Sequence, residues 1–260
     1  MIANYHTHTH RCGHAGGYQD REYVEAALKA GMEVLGFADH APQIFPGDYY
    51  SPFRMRPEML ADYVRSISGL KEEYRGRIEL LIGLETEYYP RHFGDLVAFL
   101  REYPMDYLIL GQHFVGNEYD VPGRNLYPCD RSTLERYCSQ SMEAMNTGLF
   151  TYFAHPDQVQ YVDDPKVFQK AVRSMCREAQ SLGIPLELNL EGVRRNKHYP
   201  LHQCYFWEVA AEEGCDVILG CDAHSPGHLD CSHDEQKARD MARDLGLKVL
   251  DRVELRPIHK

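Results

Sequence analysis

Histidines crowd the beginning of the chain, where four of them fall within nine residues. His6, His8 and His10 alternate directly after a short apolar run over residues 2–5, and His14 follows. Alternate side chains of an extended segment point to the same side, so the first three imidazoles can converge on one point. Neutral imidazole is a common ligand of transition metals, so this segment is a candidate metal-binding site.

The other candidate ligands also follow apolar runs. They are Asp39 and His40 after residues 34–38, Glu85 after 78–84, His113 after 107–110, His155 after 151–154, and Asp222 with His224 after 216–220. A single polar residue at the end of a buried strand is usually a cap, but six strands that each end on a histidine or a carboxylate favour a metal site. Mixed nitrogen and oxygen ligands suit borderline transition metals, and their number indicates at least a dinuclear site.

The apolar runs and the segments between them indicate the elements that position these residues. Seven short runs are typical of buried strands: 2–5, 34–38, 78–84, 107–110, 151–154, 185–190 and 216–220. Helical spacing marks five segments: 21–30, 57–74, 134–145, 165–182 and 201–213. This alternation predicts a parallel sheet, and about seven units favour a closed or nearly closed α/β barrel over an open doubly wound sheet. Barrels of this kind assemble active sites at the carboxyl ends of the strands.

The length and charge of the chain narrow the class of protein to which it can belong. It has 260 residues, with 28 Lys plus Arg against 39 Asp plus Glu and a formal net charge of −11. This length can bury a large core without a structural metal, and no repeat or linker divides it, so we expect one domain over residues 1–260. No run approaches the ~18 apolar residues of a membrane helix. The acidic balance, without a dense Lys/Arg block, disfavours nucleic acid as a partner.

The cysteines and the first residues indicate a compartment. Eight cysteines are spread along the chain without a Cys-x-x-Cys pair, so we expect them to be reduced and mostly buried. The first residues contain neither a basic stretch nor a following apolar segment, so no secretory signal is recognised. The expected location is therefore the cytoplasm. The sequence does not indicate an oligomeric state.

The candidate ligands occur in an order that resembles a known family. His6-x-His8 with His14, Asp39-His40, Glu85, His113, His155-Pro156 and Asp222-x-His224 are similar to the motif series of the polymerase and histidinol phosphatase (PHP) superfamily. The resemblance implies an α/β fold, a distorted (β/α)7 barrel with a metal site at the carboxyl ends of its strands. Segments 106–114, 154–157 and 188–194 are most similar to the PHP-type histidinol phosphatases. Leu190-Glu191 departs from that pattern, in which Thr-Ser is usual.

The resemblance also implies a trinuclear metal centre with nine ligands. The first metal would be held by His6, His8, Glu85 and Asp222, and the second by Glu85, His113 and His155, with Glu85 as the bridge. The third would be held by His14, His40 and His224. His10 matches no ligand position. Asp39 and Asp157 would either orient imidazoles through their free N–H groups or cap the ends of strands.

The expected metal site has the charge that phosphate chemistry requires. Three divalent ions would outweigh the two anionic ligands, so the site would be cationic although the whole chain is acidic. Two bridged metals lower the pKa of a shared water, and the resulting hydroxide can attack a phosphate monoester. Glu85 and Asp222 acquire a catalytic role through the metals that they hold. The acid that protonates the leaving group is either a metal-bound water or Asp157.

A basic triplet follows the sixth predicted strand on the side that would face the metals. It consists of Arg194, Arg195 and Lys197. The resemblance assigns Arg194 to the substrate phosphate, because it ends an Asn-x-x-Gly-x-Arg pattern that begins at Asn189, whereas Arg195 and Lys197 are expected to be solvated. The aromatic stretch 41–56 is either a lid over the leaving group or a plug on the barrel.

These observations predict a metal-dependent phosphomonoesterase that hydrolyses L-histidinol phosphate in histidine biosynthesis. The expected cofactors are two to three divalent ions of Zn, Mn or Fe, and the expected partner is a small phosphorylated metabolite. One alternative is a PHP-type phosphoesterase for another small phosphorylated substrate. A non-catalytic metal-binding scaffold is the other, and the intact ligand set argues against it.

Overall fold

Eight parallel strands form one curled sheet in the order of the chain. The computed structural model describes residues 1–120, 126, 128–195 and 201–259, with residues 201–203 described by their backbone. The strands are β1 (Ala3–Asn4), β2 (Val34–His40), β3 (Glu79–Thr86), β4 (Tyr107–Leu110), β5 (Phe150–Phe153), β6 (Leu186–Asn189), β7 (Asp216–Gly220) and β8 (Lys248–Leu250). The first seven lie on the runs that the sequence analysis assigned to strands.

Helices follow the strands and cover the outer face of the sheet. They are α1 (Asp20–Lys29), α2 (Leu60–Glu73), α3 (Phe93–Leu100), α4 (Arg131–Asn146), α5 (Pro165–Ser181), α6 (Leu190–Arg195), α7 (Leu201–Glu212) and α8 (Ser232–Leu245). The sequence analysis did not assign α3, α6 and α8. Apolar side chains from the helices and from the outward-facing strand positions form one large buried cluster, which includes Tyr63, Phe150 and Trp207.

The sheet closes into a ring at the carboxyl ends of its strands. Thr7, just beyond β1, forms a parallel bridge with Ala223, just beyond β7. The amide of His8 donates to the Ala223 carbonyl at 2.9 Å, and the Ala223 amide donates to the His6 carbonyl at 3.2 Å. β8 pairs with residues 216–218, at the other end of β7. The carboxyl end is therefore a ring of seven strands, which confirms the predicted distorted (β/α)7 barrel, and β8 is an addition at the opposite end.

Alternate strand residues first fill the barrel interior and then supply candidate ligands. Leu81 of β3 and Tyr107 and Ile109 of β4 belong to one buried cluster, against which apolar residues of the C-terminal segment pack. The same alternation, continued along each strand, brings Glu85 and His113 to inward-facing positions at the carboxyl end. One period-two pattern therefore produces an apolar plug at one end of the barrel and a polar site at the other.

The cysteines lie mostly in the protein interior. Seven of the eight cysteines are buried free thiols. Among the described residues, no helix combines the length and the apolar character that a membrane crossing demands.

Candidate metal centre

A polar cavity of about 340 Å³ opens at the carboxyl ends of the strands. Its wall contains eight of the nine candidate ligands: His8, His14, His40, Glu85, His113, His155, Asp222 and His224. The ninth, His6, is fully buried and lies against His8, with 3.1 Å between their Nε2 atoms. The structure thus brings all nine residues together, and the roles given to them above remain predictions.

His6, His8, Glu85 and Asp222 form the most deeply buried group. The Nε2 atoms of His6 and His8 each lie 3.5 Å from Oε2 of Glu85. Oδ1 of Asp222 lies 3.1 Å from Nε2 of His8 and 3.5 Å from Nε2 of His6. Ligand atoms that sit about 2.0–2.1 Å from a tetrahedral metal are about 3.3 Å apart. The four atoms therefore surround one point at the spacing of a four-coordinate metal site.

The second oxygen of Glu85 faces another group. Oε1 of Glu85 lies 2.7 Å from Nε2 of His155 and 3.6 Å from Nε2 of His113. The centroids of these two imidazole rings are 4.9 Å apart. Because its two oxygens face different groups, Glu85 has the geometry of a bridge between two metals.

A third pair of imidazoles, His14 and His224, lies nearer the solvent. Their Nε2 atoms are 2.9 Å apart, and His8 completes a set of three nitrogen donors with them. The ring of His40 is 5.1 Å from that of His14, but its Nδ1 lies 3.0 Å from Oε2 of Glu85. His40, which the resemblance groups with His14 and His224, therefore lies between this pair and the bridging carboxylate.

Two buried atoms of the cluster indicate that cations belong between the donors. Nδ1 of His40 and Oδ1 of Asp222 approach other donor or acceptor atoms within 3.5 Å, yet within the described residues neither has a hydrogen-bond partner. A buried polar atom without a partner costs about 1–3 kcal/mol. A cation between these atoms would remove that cost. The residues therefore fit a metal centre.

Burial and neighbouring charges set the protonation of the cluster before metal binds. Burial lowers the pKa of His8 to about 3 and the pKa of His40 well below its usual range, so both imidazoles are neutral and can ligate. Although burial opposes it, the positive charge of neighbouring histidines such as His155 and His6 lowers the pKa of Glu85 well below its usual range. Burial also opposes the charged form of His155, but Glu85 raises the pKa of His155 to about 9. Metal binding at neutral pH would therefore release a proton from His155.

Two buried carboxylates that the sequence analysis did not identify hold the outer nitrogens of candidate ligands. Oε1 of Glu187 lies 2.9 Å from Nδ1 of His6, and Oε2 of Glu187 accepts from the His155 amide at 3.1 Å. Oε1 of Glu87 lies 3.0 Å from Nδ1 of His113. A carboxylate on Nδ1 fixes the tautomer and the orientation of an imidazole, which leaves Nε2 free to bind a metal.

We expect Glu187→Gln to weaken metal binding although it removes no ligand. The amide retains the size of the side chain but no longer stabilises the His6 tautomer as a carboxylate does. Loss of such a partner typically costs 10- to 100-fold in metal affinity, to be measured for zinc by competition with a chromophoric chelator. Glu72→Gln, on the exposed face of α2, is the matched control. Equal zinc affinity in Glu187→Gln and the wild type would contradict the orienting role.

The backbone is strained at two candidate ligands. His155 and Asp222 have φ angles of 32° and 45°, and they are the non-glycine residues with positive φ in the described part of the chain. This conformation costs of order 1–3 kcal/mol and is concentrated at functional sites. Gly111, directly after β4, leaves room for the side chain of Glu85, because a Cβ there would collide with its carboxylate.

Asp39 and Asp157 are buried but do not line the cavity. The carboxylate of Asp39 accepts from the Thr9 amide at 2.6 Å and from the Thr9 hydroxyl, and burial raises its pKa to about 7. The carboxylate of Asp157 accepts from the Trp207 indole at 3.0 Å. Oδ1 of Asp39 also lies 3.8 Å from Nδ1 of His8, as an orienting carboxylate would, so both alternatives for Asp39 stay predictions, as does the proton-donor role of Asp157. His10 is exposed and begins a short 3₁₀ helix.

The two arginines differ in exposure, and the side chain of Arg195 is 75% exposed, as expected of a solvated residue. Arg195 lines the cavity, whereas Nη2 of Arg194 donates to the Cys221 carbonyl at 2.6 Å. The sequence analysis treated this segment as a loop, but helix α6 begins directly after β6 and each successive side chain turns by about 100°. Neighbouring arginines on a helix therefore point in different directions. Lys197, the third residue of the basic triplet, lies outside the described residues.

The aromatic stretch 41–56 reaches the site through one ring. Phe53 packs edge-on against His40, with 5.5 Å between ring centroids. Phe45 instead stacks on Tyr119 at 5.5 Å. The stretch therefore contacts one candidate ligand through Phe53 and forms an aromatic cluster around Phe45.

The fold and the site place the chain in a class of metal-binding α/β barrels with histidine and carboxylate ligands at the strand ends. The PHP domain matches residues 4–191. The chain belongs to the PHP domain family.

Several relatives of this chain are named as histidinol-phosphatases. It is 32% identical over 239 residues to a Deinococcus radiodurans protein named as a probable histidinol-phosphatase, covering 88% of this chain and 88% of that protein. It is 26% identical to the histidinol-phosphatase of Bacillus subtilis, covering 86% of this chain and 94% of that protein. Its fold is similar to a crystal structure of histidinol phosphate phosphatase from Lactococcus lactis, complexed with zinc, L-histidinol and phosphate. The TM-score is 0.73 at 20% identity, covering 100% of this chain and 98% of that one.

Proposed function

We propose that this chain is a metal-dependent phosphomonoesterase that hydrolyses L-histidinol phosphate to L-histidinol and phosphate. The observation that carries the proposal is the cluster of seven imidazoles and two carboxylates at the cavity. The relatives named as histidinol-phosphatases support the choice of substrate. The Lactococcus lactis protein, described as holding zinc, L-histidinol and phosphate, supports it as well. The reaction belongs to histidine biosynthesis.

The three groups of candidate ligands would hold two to three divalent ions. We assign one ion to His6, His8, Glu85 and Asp222, a second to Glu85, His113 and His155, and a third to His14, His224 and His40. Nitrogen and oxygen donors suit Zn, Mn and Fe. When bound, such ions would polarise phosphate oxygens and make hydroxide available near neutral pH. The cationic charge that they bring would attract a phosphate into the cavity of an acidic protein.

The side chains around these groups bind and orient. Glu187 and Glu87 fix the rings of His6 and His113, so the metal-facing nitrogens keep their direction. Arg195 lines the solvent-exposed side of the cavity, where its guanidinium can pair with phosphate oxygens that point away from the metals. We therefore assign the phosphate contact to Arg195 rather than to Arg194.

We expect Arg195→Met to raise KM for the phosphate ester and to leave the metal content unchanged. A charge-assisted contact is worth about 1.5–3 kcal/mol, so kcat/KM should fall by roughly 10- to 150-fold. Arg194→Met is the comparison. It removes the hydrogen bond to the Cys221 carbonyl, next to Asp222, so its main effect should be on metal retention. A large rise in KM with full metal content in Arg194→Met, and little change in Arg195→Met, would return the phosphate contact to Arg194.

The experiment that tests the function is phosphate release from a panel of substrates by the metal-loaded protein. The panel contains L-histidinol phosphate, glycerol phosphate, p-nitrophenyl phosphate and a phosphotyrosine peptide. We expect kcat/KM for L-histidinol phosphate to exceed each of the others by at least about tenfold. If kcat/KM is higher for another monoester, that compound replaces L-histidinol phosphate as the proposed substrate. No hydrolysis of any of them would favour a metal-binding scaffold.

Two further assignments belong to this proposal. The seven buried free thiols suit a reducing compartment, so we place the protein in the cytoplasm. We assign residues 1–260 to one domain, because a single sheet runs from Ala3 to Leu250.

A further inference from the structure

An acidic side chain that no metal group uses also faces the cavity. Glu191 and Arg195 stand one turn apart on α6, and both line the cavity wall. Oε1 of Glu191 lies 2.8 Å from Nη2 of Arg195. The side chain of Glu191 is 20% exposed and that of Arg195 is 75% exposed, so the carboxylate is on the cavity side and the guanidinium near the solvent.

The backbone at Glu191 is held by the metal site itself. Its amide donates to Oδ1 of Asn189 at 2.7 Å. The side-chain amide of Asn189 donates to Asp222 at 3.0 Å and to Glu187 at 3.1 Å. The position of Glu191 is therefore coupled to the candidate ligand Asp222 and to Glu187, the carboxylate that orients His6. This arrangement places the start of α6 against the metal site rather than on a freely moving loop.

The charge of Glu191 is unfavourable for a simple phosphate ester. Burial raises the pKa of its carboxyl group, and Asp222 adds to the effect. Its ion-pair partner Arg195 is mostly solvated, and an ion pair with an exposed partner offsets little of this cost. A phosphate that approaches the metals would meet this carboxylate as a like charge. A substrate that also carries a positive group would turn the same carboxylate into a favourable contact.

We propose that Glu191 is a specificity-determining residue that binds the ammonium group of the substrate's alcohol portion, while the phosphate lies between the metals and Arg195. The inference rests on the proposed function and names the class of its substrates as phosphate monoesters of amino alcohols. The Glu191–Arg195 pair offers one charge of each sign in the cavity wall, which matches a substrate that carries both signs. The carboxylate at the same time disfavours esters without a cation.

The test compares L-histidinol phosphate with its analogue that lacks only the amino group, 3-(imidazol-4-yl)propyl phosphate. The wild type should prefer the amino substrate. In Glu191→Gln, kcat/KM for L-histidinol phosphate should fall by roughly 10- to 150-fold, the value of one charge-assisted contact, whereas kcat/KM for the analogue should be unchanged or rise. Zinc content should stay at the wild-type level. Glu135→Gln is the control, because it breaks an Arg–Glu pair of the same 2.8 Å length on α4, away from the cavity.

The outcomes separate this inference from the function on which it rests. If the wild type hydrolyses neither compound, the proposed function fails. If the wild type hydrolyses both and Glu191→Gln loses equal activity on each, Glu191 positions Arg195 and the inference is overturned. Loss of zinc in Glu191→Gln would show that Glu191 is a metal ligand, and this result would overturn the inference as well. Unchanged kinetics on both compounds would leave Glu191 without a role in specificity.

Discussion

Glu85→Ala should lower kcat/KM by roughly 10³-fold or more, the largest loss expected from any single substitution in this protein. Oε2 of Glu85 lies 3.5 Å from Nε2 of His6 and of His8, and Oε1 lies 2.7 Å from Nε2 of His155. The substitution removes the bridge between two metal groups and one of the two anionic ligands. The metals stabilise the transition state, and losing several kcal/mol of that stabilisation would lower the rate by this factor. Each 1.36 kcal/mol changes the rate tenfold. The measurement is steady-state phosphate release, with metal content determined on the same samples.

His224→Ala provides the comparison for this result. His224 belongs to the pair nearer the solvent, where its Nε2 lies 2.9 Å from that of His14, and it touches neither oxygen of Glu85 in the proposed assignment. We expect a smaller loss of activity and the loss of at most one metal per chain. Glu72→Ala, on the surface of α2, controls for the removal of an acidic side chain. Equal loss of activity and of metal in Glu85→Ala and His224→Ala would contradict the bridging position.

Strong chelation should abolish hydrolysis and leave the chain folded. The outer cluster between sheet and helices and the inner cluster of the barrel are apolar and independent of the metal site. Ion pairs such as His155–Glu85 satisfy part of the buried charge when no metal is present. We expect an unchanged far-ultraviolet circular dichroism spectrum and a lower Tm, because metal binds the folded state alone. Full recovery of activity on addition of zinc is the control, and loss of the helical signal on chelation would contradict this expectation.

The grouping of the candidate ligands could be predicted because parallel strands all end on the same side of a barrel. Glu85 and His155 are distant in sequence, yet each follows or ends an apolar run, and the barrel brings their side chains to 2.7 Å. The period-two alternation then selects which residues face inward. The position of His40 beside Glu85 depends on angles that this alternation does not specify.

Glu87 and Glu187 were missed although the sequence contained a signal. Glu187 lies within the four-residue strand Leu186–Asn189, whose residues are all buried. Acidic residues are almost never fully buried without a partner, so a carboxylate in such a run indicates a paired group. Glu87 follows Glu85 by two residues and shares its direction, which is a weaker signal. Residues 185–190 were predicted as a strand from their apolar members alone, without regard to Glu187.

The directions of the Arg194 and Arg195 side chains could not be predicted without knowing where α6 begins. In an extended loop, no rule decides which of two neighbouring side chains faces the metals. The start of α6 directly after β6 decides it, because residues four apart share one face of a helix and bring Glu191 and Arg195 together. β8 was missed for a different reason, since a strand of three residues gives too short a run to be distinguished from a loop.

The central claim is that nine side chains at the ends of the barrel strands bind the catalytic metals. Anomalous X-ray diffraction from crystals of the zinc-loaded protein, recorded on both sides of the zinc absorption edge, tests it most directly. We expect two to three anomalous peaks, one enclosed by His6, His8, Glu85 and Asp222 and another between Glu85, His113 and His155. Zinc-loaded crystals with no anomalous peak among these residues, or with peaks only at other surfaces of the protein, would contradict the claim.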